Sequence, residues 1–83
     1  MSYTLDIGVD VQEQIGALPH AALTVLAEAL VVLEITPWSG PSLHAGNPQG
    51  AVRNLPFGSS GMVTYLILED RHEVQLLIVT WAG

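Results

Sequence analysis

Apolar and polar positions alternate at the start of the chain. Tyr3, Leu5, Ile7 and Val9 share one face, and Thr4, Asp6 and Gly8 the other. A period of two predicts a half-buried strand over Tyr3–Val9. The period then lengthens. Val11, Ile15 and Leu18 are spaced by four and three residues, one stripe of a short helix. Asp10 stands at the expected N-cap with Glu13 three positions on, a capping-box-like pair. Gly16 weakens that helix, and Pro19 ends it.

A stronger helix is predicted from His20 to Ile35. Leu23, Leu26, Leu30 and Leu33 form its expected core stripe. Val25, Ala27, Ala29, Val31 and Val32 carry apolar character most of the way round, and only His20, Thr24 and Glu28 make a polar strip. A helix apolar on nearly all sides is buried on more than one of them, so a partner is expected on its back. Pro37 stops the helix. Trp38 to Gly50 is rich in Gly, Pro, Ser and Asn and reads as a long loop. Such a loop is either functional or a simple crossover from helix to sheet.

Ala51–Phe57 reads as a short strand. Pro56 within it suits an edge position. Gly58-Ser59-Ser60-Gly61 is a turn. Two near-solid apolar runs follow, Gly61–Leu68 and Val74–Trp81, joined by Glu69-Asp70-Arg71-His72-Glu73. Runs apolar on both faces predict interior strands covered on both sides, one face by the helices and the other by a second cover such as another chain. The order β-α-α-β-β-β predicts an α+β fold, with two helices on one face of a mainly antiparallel sheet.

At 83 residues the chain is expected to form one domain, residues 1–83. A domain of this size buries only about 60–65% of its unfolded surface. There is no cysteine to staple it. Charged residues make up 12% of the chain, about half the usual share, so apolar surface is left for a partner or a second copy. The formal net charge is −6, there is no lysine, and Arg53 and Arg71 are the only Lys or Arg residues. Nucleic-acid affinity rests largely on Lys and Arg against phosphates, so DNA or RNA binding is not expected. Anionic membranes are disfavoured for the same reason. No signal peptide or membrane span is read from the sequence, and a cytoplasmic location is expected.

The landmarks together resemble the RelE/ParE superfamily of bacterial toxins from toxin–antitoxin pairs. They are the helix pair ending in Pro37-Trp38, the run Val52-Arg53-Asn54-Leu55-Pro56-Phe57-Gly58, the Gly61-Met62-Val63-Thr64-Tyr65 strand, and the closing strand to Trp81. The resemblance implies a RelE-like fold, a cognate antitoxin as partner, and no cofactor. RelE-like members cut messenger RNA with lysines, arginines and often a tyrosine. Positive charge is needed there because negative charge develops on the phosphate. By resemblance Arg53 and Tyr65 are the candidate catalytic residues. The family commonly has an arginine soon after the glycine, where this chain has Met62, Val63 and Thr64. The basic tail after the last strand is replaced by Thr80-Trp81-Ala82-Gly83. ParE-like members poison gyrase without an obvious catalytic constellation. The resemblance therefore implies a toxin-like module without efficient ribonuclease chemistry, or a non-catalytic homodimeric interaction protein on the same scaffold.

Candidate partner-binding residues are Leu23, Val31, Trp38 and Trp81. The tryptophans read equally as interface anchors or as core and loop-pinning residues. On the residues alone, Arg53 reads first as a surface arginine paired with a carboxylate, and Tyr65 as sheet packing. Arg71 reads as a solvated hairpin tip. His20, His44 and His72 lack metal-ligand spacing, so no metal site is expected. Ser39, Ser42, Ser59 and Ser60 are turn residues without a paired base.

Overall fold

A computed structural model of the chain describes residues 2–39 and 50–82. Strand β1 (Thr4–Ile7) leads into helix α1 (Val9–Gly16), then helix α2 (His20–Ile35) and a 3-10 turn (Pro37–Ser39). Strands β2 (Val52–Phe57), β3 (Gly61–Leu68) and β4 (Glu73–Trp81) follow, with a second 3-10 turn, Glu69–Arg71, between β3 and β4. Most of the expected loop, with Ser42 and His44, lies outside the described residues. The described strands form one four-stranded sheet in the order β1-β4-β3-β2. β1 runs parallel to β4, while the other two pairs are antiparallel. This is the expected α+β order, with β2 and its Pro56 on an edge.

β1 is shorter than the alternation predicted. It stops at Ile7, and Val9 is 69% exposed. Gly8, not Asp10, is the N-cap of α1, with an extended backbone and no side-chain cap bond. The amide of Gln12 donates to the Gly8 carbonyl, the first helical bond. Asp10 falls inside the first turn, where its charge still favours the helix dipole, so the capping box does not form.

The buried stripe of α2 is Ala22, Leu26, Ala29 and Leu33. Leu23 and Leu30 are half-buried rather than central. The two alanines have little side chain to hold the helix off the sheet. The core beneath comprises Val63, Tyr65 and Ile67 of β3 with Val74, Leu76 and Val79 of β4.

β4 is apolar without strict alternation because it is bulged. Thr64 pairs with Ile78 and Tyr65 with Leu76, leaving Leu77 as the extra residue. An unpaired residue resets the inward–outward parity of a strand. Val74, Leu76 and Val79 are buried, while Leu77 and Ile78 are both exposed, at 37% and 47%. The second cover expected on the outer face is absent from the chain's own described residues. β1 pairs with β4 only as far as Leu76. Further along, the Val79 amide donates to Oε1 of Gln14 on α1, at 2.8 Å. A helix side chain thus satisfies a main-chain group that β1 is too short to reach.

Gly61 stands between Phe57 and Trp81 in the register. The two rings stack with centroids 5.6 Å apart. A Cβ on Gly61 would lie 2.5 Å from the Phe57 ring, so only glycine lets this ring fold over the strand.

Candidate functional site

Arg53 and Tyr65, the two expected catalytic residues, are cross-strand partners on β2 and β3. Both point toward the helix layer. Arg53 is 7% exposed and Tyr65 is fully buried. The Tyr65 hydroxyl donates to the Pro37 carbonyl at 2.6 Å. Arg53 donates from Nε to the Gly50 carbonyl at 2.9 Å and from a terminal nitrogen to the Trp38 carbonyl at 3.1 Å. Its guanidinium also lies 4.8 Å from the centroid of the Trp38 ring, a cation–π contact. Arg53 is therefore buried, not the surface arginine that sequence reading allowed. These bonds hold the turn that ends α2.

Trp38 joins a second cluster. Its indole Nε1 donates to Oε1 of Glu69 at 2.6 Å, and the Tyr3 hydroxyl donates to the same oxygen at 2.7 Å. His72 stacks on Tyr3 with centroids 3.9 Å apart. Its backbone is left-handed, at φ 55°. The hydrogen bond from Tyr3, then that from Trp38, lower the Glu69 pKa below its ordinary value. The bond to Glu69, followed by desolvation, raises that of Tyr3. Glu69 therefore links the start of β1, the turn after α2, and the β3–β4 connection. Sequence reading missed this hub, because its members are 31 and 66 residues apart.

The four expected partner-binding residues do not form one surface. Val31 is exposed on the outer side of α2, together with Val32 and Ile35. Leu23 is half-buried near the start of that helix. Trp38 lies just past its C-terminus and is 38% exposed. Trp81 is half-buried at the other end, where its ring would touch a Cβ placed on Gly58. Between α2 and β2 runs an open groove of ≈ 380 Å³, lined by Val25, Glu28, Val32, Leu55, Pro56 and Phe57 among others.

Arg71 is exposed on the 3-10 turn between β3 and β4. Among the described residues, no group of three or more His, Cys, Asp or Glu side chains could hold a metal ion. Among them, too, no helix is long and apolar enough to cross a membrane.

No protein-family model matches the sequence, and no curated protein matches it. Solved structures do. The chain is similar to an arginine-to-alanine double mutant of E. coli toxin RelE in complex with a RelBc antitoxin peptide. The TM-score is 0.81 at 20% identity, covering 100% of this chain and 86% of that one. The same E. coli mutant in the free state gives 0.79 at the same identity and coverage. The toxin–antitoxin complex RelBE2 from Mycobacterium tuberculosis gives 0.69 at 17% identity, covering 99% of this chain and 93% of that one. The chain therefore has the RelE fold.

Proposed function

We propose that the chain is the toxin module of a toxin–antitoxin pair, neutralised by a cognate antitoxin and acting through protein–protein contacts in the cytoplasm. The observation that carries this reading is the RelE fold over the whole chain. The apolar outer side of α2 supports it. Val32 lines the groove that α2 forms with β2, and Val31 and Ile35 are exposed on the same helix beside it. An amphipathic segment laid into such a groove buries both surfaces at once.

Efficient ribonuclease chemistry is not part of the proposal. A transition state that gathers negative charge needs cations aimed at it. Of the two arginines, Arg53 is bonded to main-chain carbonyls beneath Trp38, and Arg71 lies on the β3–β4 connection. Catalysis by Arg53 and Tyr65 would require both side chains to leave Trp38 and Pro37.

Expressing the chain alone in a bacterium tests this reading. Growth arrest with intact messenger RNA, relieved by the antitoxin encoded beside it, is expected. Val31→Asp should weaken antitoxin binding about tenfold or more, or ~1.4 kcal/mol. Normal growth together with no binding to that antitoxin would sink the proposal.

A second reading, a non-catalytic homodimer on the same scaffold, is favoured by the uncovered outer face of the sheet, where Met62, Leu77 and Ile78 are exposed. Light scattering over a concentration series tests it, and a mass fixed at one chain would exclude it.

A further inference from the structure

We propose that the groove-side row of α2 is one half of a two-helix seam, completed by a partner helix that sets a lysine or arginine against Glu28. The proposal rests on the antitoxin reading and deepens it, by naming the form and charge of the segment that fills the groove.

The seam lies in the spacing of α2. One row of the helix, Ala22, Leu26, Ala29 and Leu33, is buried. Beside it Ala21, Val25, Glu28, Val32 and Ile35 follow one another at four, three, four and three residues. This is the alternation of a and d positions in a coiled-coil seam. Val25, Glu28 and Val32 line the groove between α2 and β2. Ala21 and Ile35 continue the row at either end, and both are exposed. From Ala21 to Ile35 the row rises about 21 Å, some four turns of helix. Ala29 also lines the groove, and its short side chain lets a second helix come close. The row is apolar except at its middle residue, Glu28.

The opposite wall favours a helix over a strand. It is formed by Leu55, Pro56, Phe57 and Gly58. Pro56 has no N–H and blunts the β2 edge against an added strand. A helix satisfies its main-chain groups internally and asks only for side-chain packing.

Charge selects the occupant. Glu28 is the one charged side chain among the described residues that line the groove. A helix laid over the row takes water from that carboxylate, and a carboxylate without water needs a partner. An apolar residue opposite would strand it, and an acidic one would repel it. A second copy of this chain fails the same test. Neither α1 nor α2 contains a lysine or arginine, and His20 begins α2 about two turns from Glu28. Because Glu28 is the middle of five, full overlap with a second α2 sets Glu28 against Glu28, whether the helices run parallel or antiparallel. A different chain carrying a cation at that position meets the requirement. The formal net charge of −6 adds attraction for such a segment at longer range.

Titration calorimetry of the full chain with the antitoxin encoded beside it tests this. Glu28→Lys exchanges two good helix formers at an exposed position. It should raise the dissociation constant about tenfold or more by setting like charges face to face. Val32→Asp should do the same, while Ala27→Glu, at an exposed position off the row, leaves it unchanged. Each lysine and arginine of the antitoxin is then replaced in turn by glutamate. One of these replacements should weaken binding to the original chain and restore binding to Glu28→Lys. NMR shifts of the labelled antitoxin in the complex should place that residue in a helix. If no replacement restores binding, or if the restoring residue lies in an extended segment, the proposal is overturned. Binding indifferent to both Glu28→Lys and Val32→Asp overturns the seam and leaves the antitoxin reading standing. No binding by the original chain overturns both. A homodimer of the chain alone that Val32→Asp dissolves would assign the seam to a second copy, and the proposal fails.

Discussion

The buried hydroxyl of Tyr65 donates a 2.6 Å hydrogen bond to the carbonyl oxygen of Pro37. It anchors the end of α2 to the middle of β3. Pro37 is itself fully buried, so no water replaces the bond. Tyr65→Phe leaves that carbonyl unpaired, at a cost of about 1–3 kcal/mol. A lower urea midpoint with an unchanged slope is the expected result. No loss of stability would mean that the carbonyl finds another donor.

Arg53 holds the same turn through geometry as much as charge. Its planar fork reaches the Gly50 and Trp38 carbonyls while lying over the Trp38 ring. A lysine keeps the charge but not the fork. Arg53→Lys should therefore destabilise the fold by about 1–3 kcal/mol and shift Trp38 emission. A lysine variant as stable as the original, with unchanged emission, would mean that charge alone suffices.

Gln14 on α1 accepts the Val79 amide across 65 positions of sequence. Gln14→Leu removes the acceptor and should cost about 1–2 kcal/mol. Gln14→Glu keeps an oxygen there and should restore most of that loss. Amide exchange at Val79, read by NMR, distinguishes the two. Equal exchange in both variants would place the protection elsewhere.

Glu69 gives the fold a pH dependence of known sign. Its folded pKa is lowered from the ordinary 4.5 by the Tyr3 and Trp38 hydrogen bonds. Its contribution is therefore present above 4.5 and is lost as the pH falls through the folded value. Tyr3 is raised from 10.0 by the same bond. The neutral phenol favours folding, so that contribution is present below 10.0 and fades as the pH rises above it. Urea midpoints of the original chain and Glu69→Gln should converge in acid and separate near neutrality. Parallel profiles through the acid range would exclude Glu69 as the source.

Gly61 tests the aromatic row. Gly61→Ala drives a methyl into the Phe57 ring at 2.5 Å, and overpacking of this kind costs about 1–3 kcal/mol. Phe57→Leu should relieve part of it in the double variant. Strict additivity in a thermal denaturation cycle would show that the two sites do not meet.

Much of the fold was legible in short-range patterns. Alternation found β1, and proline placed the end of α2 and the edge position of β2. Local rules misjudged Asp10 and the α2 stripe, because Gly8 already caps α1 and two alanines, not Leu23 and Leu30, are the buried positions beside Leu26 and Leu33. The site was less legible. Arg53 and Tyr65 were singled out, but nothing nearby in sequence says that their polar groups meet the carbonyls of Trp38 and Pro37.

The sequence by itself determined the order of elements, the apolar surplus and the shortage of cations. Those properties live in composition and in periods of two and three to four residues. Only the tertiary structure decided that Arg53 is buried under Trp38, that Glu69 joins three distant segments, and that Leu77 and Ile78 both face outward. Each depends on contacts or register between strands and helices far apart in the chain. Local periodicity carries no record of those distances.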